Sequence, residues 1–336
     1  MKKEYWILFL FLLVFFTGFI FAEKVRTLTE VLHPFRFYVD EEQFYITEGV
    51  TVFIYSKKDY RLVKKFGKEG EGPGEVLLRS RGGNTGIGLI VQKEHIIVST
   101  VGKLIYFTKD GNFVKEIKTA PAGRWQSPFG ELFVGKKYIR EKDGLYHGIA
   151  LYNSNIKQLK LIYKHIHGWQ GTEAEFNPLT VEQADFEIGG DKIFVMDGAR
   201  TMIRCYDKAG QPLFSITIKD ELVEFTEEDK KTMVADYKTN AFWKRYYETR
   251  KHFFKFPEYF PPIRMFTLDP VEKKIYIKTE KKENGKQKWV VYDFNGKLIK
   301  NILLPLGWLR FYNGICYRLL LNEEEDEWEL YVGGQR

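Results

Sequence analysis

Apolar and polar positions follow one pattern along this chain, and the pattern recurs six times. Each copy contains a strand-like core followed by a second apolar run, with the cores at 43–46, 94–98, 137–139, 192–195, 274–277 and 314–317. Short apolar runs bounded by turn residues are typical of buried β-strands. The recurrence therefore predicts a repeated β-unit.

One strand later, five of the copies share an aromatic column ahead of a turn. The aromatic positions are Tyr55, Phe107, Tyr152, Tyr206 and Tyr292. The next residue is always Ser, Thr, Asn or Asp, whose side chain can accept a hydrogen bond from a backbone N–H two residues on and so start a turn. Gly, or more rarely Asp, then supplies the positive φ that closes a tight hairpin. Each unit thus reads as strand, turn, strand, hairpin turn, strand.

The spacing of this aromatic column fits propeller blades. It recurs roughly every 50 residues, apart from a last interval of about 86 residues, and a blade takes about 40–50 residues. The sixth copy, from Gly307 onward, offers three strands, and residues 24–32 could supply its missing outer strand. We therefore predict an all-β, six-bladed β-propeller of four-stranded antiparallel blades. A β-sandwich or two small sheets is the alternative.

The first residues resemble a secretory signal peptide. Met1, Lys2 and Lys3 precede an uncharged apolar run from Trp6 to Ala22, and charged residues begin directly after it. We expect residues 1–22 to be a cleaved signal peptide, with an uncleaved N-terminal anchor as the alternative because the run is also a borderline membrane span. Residues 23–336 then form one propeller domain, which is periplasmic or secreted.

Composition and charge limit the classes of partner that we expect this protein to bind. The chain has 336 residues, 44% of them hydrophobic and 16% aromatic, which is enough for a large core. Its net charge of +7 suits an anionic partner, but lysines on solvent faces and edge strands are the preferred explanation of the charge. For an exported protein we expect a protein or glycan ligand, possibly anionic, and no nucleic acid. A membrane partner is expected only if the N-terminal segment stays uncleaved, and we expect a monomer.

The two cysteines, Cys205 and Cys316, fall in copies that are not neighbours in the predicted ring. Two buried thiols are therefore expected rather than a disulfide. No cysteine lies near Ala22, so a lipid-anchored form is not expected.

Two motifs carry a resemblance to a known group. The segment from Phe66 to Val76 contains Gly70-Glu71-Gly72-Pro73-Gly74-Glu75-Val76, and residues 256–263 read Phe-Pro-Glu-Tyr-Phe-Pro-Pro-Ile. The first segment resembles the Gly-x-Gly-Pro-Gly-Glu-Phe signature of exported bacterial six-bladed β-propeller proteins related to the NHL-repeat class. The second resembles the segment that leads into a late blade in the same group. Val76 stands where that group usually has Phe. The resemblance covers residues 24–336 and implies the propeller fold and export, with no general enzymatic activity.

The glycine-rich segment is predicted to be a loop. Its glycines and proline between Gly67 and Gly74 favour consecutive turns, whose N–H groups can form an anion-binding nest. It lacks the Lys-Ser/Thr ending of a phosphate loop, so a structural linker between blades is the preferred interpretation.

An insertion explains the long interval between the fourth and fifth copies. Thr226 followed by Glu227, Glu228 and Asp229 has the spacing of a helix N-cap with an acidic first turn. Aromatic and basic residues then interleave up to Pro257, which we expect to end the helix. We predict a helical flap over about 221–262, either packing its aromatics on the propeller or forming a basic aromatic lip for an anionic or carbohydrate ligand.

The sequence contains few candidates for catalytic or metal-binding residues. His165 and His167 would share one face of a strand and are weak candidates for metal ligands. No nucleophile-elbow, paired-histidine zinc or Cys-x-x-Cys motif occurs, and we expect no catalytic residue and no cofactor. A propeller enzyme, a lyase or hydrolase with its site at the central opening, is kept as the alternative by analogy with the fold alone.

The predicted ligand surface is the loop-rich face, where the linkers between blades gather. Tryptophans and basic side chains at such linkers could form a shallow bowl for a macromolecular, glycan or peptide ligand, or could simply pack between blades. The ligand-binding candidates are Arg79, Arg81, Arg124, Trp125, His167, Trp169, Trp243, Arg245 and Trp308.

Overall fold

The chain forms a six-bladed β-propeller, as the repeat predicts. The structure is a computed structural model that describes residues 23–78, 86–100, 102–119, 125–129, 131–166, 175–180, 184–218 and 222–334. These residues form six four-stranded antiparallel sheets. Each innermost strand contacts the innermost strand of the next blade, and the sixth contacts the first, so the ring is closed.

The first three blades follow the chain from the inner to the outer strand. Blade 1 contains β2 (Arg36–Val39), β3 (Gln43–Glu48), β4 (Thr51–Ser56) and β5 (Leu62–Phe66). Blade 2 contains β6 (Gly88–Val91), β7 (His95–Thr100), β8 (Lys103–Thr108) and β9 (Phe113–Lys118). Blade 3 contains β10 (Trp125–Phe129), β11 (Leu132–Glu141), β12 (Gly144–Tyr152) and β13 (Gln158–Ile166).

Blades 4 and 5 repeat this order, and blade 6 departs from it. Blade 4 contains β14 (Asp185–Gly189), β15 (Lys192–Met196), β16 (Met202–Tyr206) and β17 (Pro212–Thr217). Blade 5 contains β18 (Met265–Asp269), β19 (Lys274–Glu283), β20 (Lys286–Asp293) and β21 (Leu298–Leu304). Blade 6 contains β22 (Trp308–Tyr312), β23 (Ile315–Asn322), β24 (Glu327–Gly334) and, as its outer strand, β1 (Glu23–Leu28).

Strand β1 joins the two ends of the described chain, as expected from the missing strand of the sixth copy. It pairs antiparallel with β24, from Glu23 opposite Val332 to Leu28 opposite Trp328. Leu28 is fully buried in the core between blades 6 and 1. The closure therefore depends on backbone pairing and on apolar burial together.

The core is divided among the junctions between blades. The buried apolar residues of the described chain form six clusters, and each cluster joins two neighbouring blades. Because a single blade cannot bury both faces of its sheet, these six junctions hold the ring together.

The hairpins between third and fourth strands explain the polar residue after each aromatic. Asp207 accepts a hydrogen bond from the N–H of Gln211 at 2.8 Å, and Asp293 accepts one from Lys297 at 2.9 Å. The structure differs from the sequence expectation in blade 1, where positive φ falls on Tyr60 instead of Asp59. That hairpin is one residue longer, since the Ser56 N–H donates to the Arg61 carbonyl.

The up-and-down topology gives the disc two different faces. All inner strands run in the same direction, so their N-terminal ends lie with the linkers between blades, on what we name the linker face. Their C-terminal ends lie on the opposite side, named the hairpin face, together with the hairpins between third and fourth strands.

The insertion between blades 4 and 5 is helical and follows β17, so it lies on the linker face. It contains α1 (Glu227–Thr239), α2 (Ala241–Arg250) and a 3₁₀ turn (Lys251–Phe253). Thr226 caps α1 in a complete capping box with Asp229, as predicted. The predicted helix does not continue to Pro257. It is interrupted at Asn240, between α1 and α2, and α2 ends at Arg250.

Within the described ranges, no helix combines the length and the apolar character needed to cross a membrane. The apolar run before Glu23 lies outside the described residues.

Both thiols are expected to be unreactive in the native protein. Cys205 and Cys316 are free and buried, and burial raises the pKa of each to about 12. At pH 8 only about 10⁻⁴ of such a thiol is the reactive thiolate. Ellman's reagent should therefore label native protein far more slowly than protein unfolded in guanidinium, in which both thiols react. Rapid labelling of two thiols in the native state would contradict the placement of both residues.

Candidate functional site

A cavity of about 420 Å³ lies on the propeller axis. Its lining comes from the C-terminal parts of the inner strands of blades 1, 2, 4, 5 and 6 and from the turns that follow them. The polar and aromatic lining residues are Tyr38, Asp40, Gln92, Lys93, Glu187, Thr267, Arg310, Phe311 and Tyr312. The cavity therefore lies toward the hairpin face, and its volume is in the range of small-molecule sites.

Arg310 of β22 is held at the centre of three blades. Its Nε donates a 2.9 Å hydrogen bond to the Phe37 carbonyl of blade 1, and its guanidinium donates at 3.3 Å to the buried Thr267 hydroxyl of blade 5. The guanidinium carbon lies 5.8 Å from the centre of the Tyr38 ring. These contacts fix the orientation of the side chain before any ligand arrives.

The guanidinium of Arg310 has no acidic partner among the described residues. Among the residues that the structure describes, none provides a carboxylate within ion-pairing distance of this guanidinium. Thr267 and the Phe37 carbonyl are neutral acceptors, and they leave donor capacity on a group that has five N–H bonds. A half-buried cation without a counter-ion is a natural site for an anionic group.

The nearby carboxylate of Asp40 already has its partners. It accepts hydrogen bonds of 2.7 Å from Lys109 and from the Tyr45 hydroxyl. Burial acts to raise the pKa of Asp40, but hydrogen bonds from Lys109, Tyr45 and the Gln43 N–H outweigh it and hold this pKa below its ordinary value. Asp40 is therefore ionised at neutral pH and neutralised by Lys109, and it does not compete for Arg310.

A second cation lies at the rim of the cavity. Lys93 follows β6, is exposed to solvent, and makes no hydrogen bond or ion pair with the described residues. Lys57 contacts two residues of the lining: it donates to the Asp40 carbonyl at 2.7 Å and lies over the Tyr312 ring, and burial lowers its pKa. Arg310 and Lys93 are thus two cations of the lining that pair with no carboxylate of the described residues, and Glu187 is the other carboxylate of the lining besides Asp40.

Most of the ligand-binding candidates from the sequence fall outside the described residues. These are Arg79, Arg81, Arg124, His167 and Trp169. The backbone of Trp125 begins β10, but its side chain is likewise outside the description. The remaining three, Trp243, Arg245 and Trp308, belong to the linker face, opposite the axial cavity.

Several described aromatic rings of the insertion pack against one another and against the linker between blades 3 and 4. Tyr247 is buried, and the rings of Tyr237 and Phe254 lie 6.0 Å apart. Phe176 of that linker contacts Phe254, and the two form a parallel β-bridge. The packing interpretation thus accounts for these rings, whereas Arg245 is exposed and Trp243 is half-buried.

His165 packs against blade 4. Its imidazole lies directly over Gly198, where a Cβ would be 2.1 Å from a ring atom, and burial lowers the pKa of this histidine. His167 lies outside the described residues. In the part of the chain that the structure describes, no three His, Cys, Asp or Glu side chains form a group that could hold a metal ion.

Two N–H groups of the glycine-rich segment donate to carboxylates, one in the segment and one on β9. Glu75 accepts a hydrogen bond from the Gly72 N–H at 3.0 Å and pairs with Lys68, while the Gly74 N–H donates to Glu116 at 3.4 Å. Val76 is buried in the core between blades 1 and 2. The segment therefore acts as a linker between blades, and the N–H groups of Gly72 and Gly74 already have acceptors in the protein.

Sequence reasoning missed Arg310 and Lys93. Arg310 sits in an inner strand, Trp308–Tyr312, whose pattern is otherwise that of the other blades. A charged residue in the middle of an innermost strand is the one signal that could have drawn attention to it, because inner strands line the axis.

Comparison with known proteins shows the fold. No protein-family model and no curated protein matches the sequence. A candidate exported protein of Bacteroides fragilis NCTC 9343 superimposes with a TM-score of 0.55 at 13% identity, covering 94% of each chain. PorZ, a surface component of the type-IX secretion system of Porphyromonas gingivalis, gives a TM-score of 0.41 at 8% identity. That match covers 85% of this chain and 29% of PorZ.

Proposed function

We propose that this protein is an exported, non-enzymatic propeller that binds an anionic ligand, such as an acidic sugar, in its axial cavity. One observation carries the proposal: Arg310 presents an uncompensated, pre-oriented guanidinium inside a cavity of about 420 Å³. A carboxylate can take two parallel N–H bonds from a guanidinium, and this geometry favours arginine over lysine at such sites.

The surrounding residues suit a sugar that carries a carboxylate. Tyr38 and Tyr312 line the same cavity and offer aromatic faces for the apolar side of a sugar ring. Gln92 and Lys93 add polar groups near the rim. Export is supported by the charged start and apolar run of residues 1–22.

The enzyme alternative has less support. A lyase or hydrolase at the central opening needs a convergent set of acid, base or metal-ligating groups. The two carboxylates lining the cavity, Asp40 and Glu187, belong to different blades, and the first is committed to Lys109 and Tyr45. No observation on the described residues favours catalysis over binding.

The Arg310→Gln variant tests the proposed site. D-glucuronate should bind the wild-type protein, and D-glucose, which lacks the carboxylate, should bind at least tenfold more weakly. Since a hydrogen bond to a charged group contributes about 1.5–3 kcal/mol, the variant should lose about ten- to a hundredfold in affinity for glucuronate. Isothermal titration calorimetry measures each affinity.

Arg264→Gln is the matched control. Arg264 precedes β18 at the linker face and pairs with Glu280, so its loss removes the same charge far from the cavity. We expect this variant to bind glucuronate as the wild type does. Equal losses in both variants, or no binding of glucuronate, galacturonate or sulfate to the wild type, would contradict the proposal.

A further inference from the structure

The linker-face end of blade 6 exposes an apolar surface. Leu32, Leu306 and Trp308 have exposed fractions of 65%, 45% and 42%, and Trp328 is half-buried beside them. These four residues are named the blade 6 patch. Large side chains exposed together are uncommon on a monomer and mark surfaces that contact a partner.

The blade 6 patch is held in place by its own contacts. The Trp308 and Trp328 rings lie 5.5 Å apart between centroids, and the indole N–H of Trp328 donates a 3.0 Å hydrogen bond to the Leu32 carbonyl. Trp308 begins β22, and Trp328 lies on β24, so both rings sit on strands of the sheet. A rigid, pre-oriented aromatic pair loses little conformational entropy on binding.

An acidic loop borders the patch directly. Residues 323–327 read Glu-Glu-Glu-Asp-Glu, and they comprise the turn from β23 to β24 and Glu327, the first residue of β24, immediately before Trp328. Asn322 orients the loop by accepting hydrogen bonds from the N–H groups of Glu324 and Glu325. No lysine or arginine of the described residues forms an ion pair with these five carboxylates. On a chain with a net charge of +7, this is a local negative surface.

We propose that the blade 6 patch binds a basic segment of a partner protein, in which lysine or arginine alternates with apolar side chains. The apolar side chains would cover Trp308 and Leu306, and the cations would face the acidic loop. A symmetric dimer through the patch is disfavoured, because a two-fold axis would bring the two acidic loops face to face. The surface lies on the face opposite the axial cavity, so this inference is independent of the proposed anionic ligand.

Fluorescence polarisation with labelled peptides tests this surface. A short peptide alternating lysine and leucine should bind, and a peptide alternating lysine and serine, with the same charge, should bind at least tenfold more weakly. Trp308→Ala should weaken binding of the lysine–leucine peptide about tenfold. A variant with residues 323–327 changed to Gln or Asn should do the same, and wild-type binding should weaken between about 50 and 500 mM salt.

Glu41→Gln with Glu42→Gln is the control, since these exposed carboxylates lie on the hairpin face. It should bind the lysine–leucine peptide as the wild type does. Circular dichroism shows whether each variant is folded. If Trp308→Ala does not fold, the acidic-loop variant still tests the proposal. Equal binding of both peptides, or unchanged binding in the loop variant, would overturn the proposal. A concentration-dependent dimer that Trp308→Ala abolishes would overturn it in favour of self-association.

Discussion

Replacing Leu28 with alanine is expected to lower the free energy of unfolding by about 2–5 kcal/mol. Leu28 is fully buried and packs in the cluster that joins blades 6 and 1. It also ends β1, the strand that closes the ring. Truncation leaves a cavity at the end of β1, a strand attached to the rest of blade 6 only by its pairing with β24 and by side-chain packing, so the lost packing weakens the closure directly. Urea unfolding followed by circular dichroism measures the effect.

Leu32→Ala is the matched control for this closure. Leu32 lies four residues further on, outside β1, with an exposed fraction of 65%. Its truncation should change the unfolding free energy by less than about 0.5 kcal/mol. If Leu28→Ala were as mild as the control, β1 would not close the propeller in solution.

Replacing Asp269 with alanine should cost about 3–5 kcal/mol. Asp269 is fully buried at the end of β18. Its carboxylate accepts hydrogen bonds from Val271 and Glu272 in its own turn, and from Asn313 and Gly314 in the corresponding turn of blade 6. Alanine leaves four backbone N–H groups without their acceptor and separates two turns that the carboxylate holds together.

Asp191→Ala is the corresponding control for Asp269. Asp191 lies in the equivalent turn of blade 4, where its side chain is exposed. Thermal unfolding of the two variants should show a large loss of stability for Asp269 and almost none for Asp191. Similar midpoints for both variants would show that the carboxylate does not couple blades 5 and 6.

The blades could be predicted because the signal is local. Alternating apolar runs, the aromatic at Tyr206 and the turn residue Asp207 lie within one short segment, and each copy repeats them. Closure by the N-terminal strand followed from counting strands in the sixth copy. The one-residue difference at Tyr60 shows the limit, because several residues can adopt positive φ in a hairpin.

The axial site could not be predicted in the same way. Arg310, Phe37 and Thr267 belong to three blades and are far apart in the sequence, so only the closed ring brings them together. Likewise, the sequence shows that the insertion contains aromatic and basic residues, but it does not show which residues they contact in the folded protein. Phe176, which packs against Phe254, comes from a linker that precedes blade 4.

The two proposed surfaces lie on opposite faces of the disc. The axial cavity opens toward the hairpin face, where Lys93 is exposed, and the blade 6 patch lies on the linker face. The two proposals are therefore compatible, since a small anionic ligand and a basic partner would occupy different faces. The linkers between blades predict ligand binding on the linker face, and one of the candidates predicted there, Trp308, is part of the blade 6 patch.

The position of a bound acidic sugar tests the central claim most directly. A crystal structure of the protein grown with D-glucuronate should show the sugar in the axial cavity, with its carboxylate about 2.7–2.9 Å from the guanidinium nitrogens of Arg310. Tyr38 or Tyr312 should lie against the sugar ring. An ordered sugar at the linker face, with the axial cavity holding only water, would contradict the account.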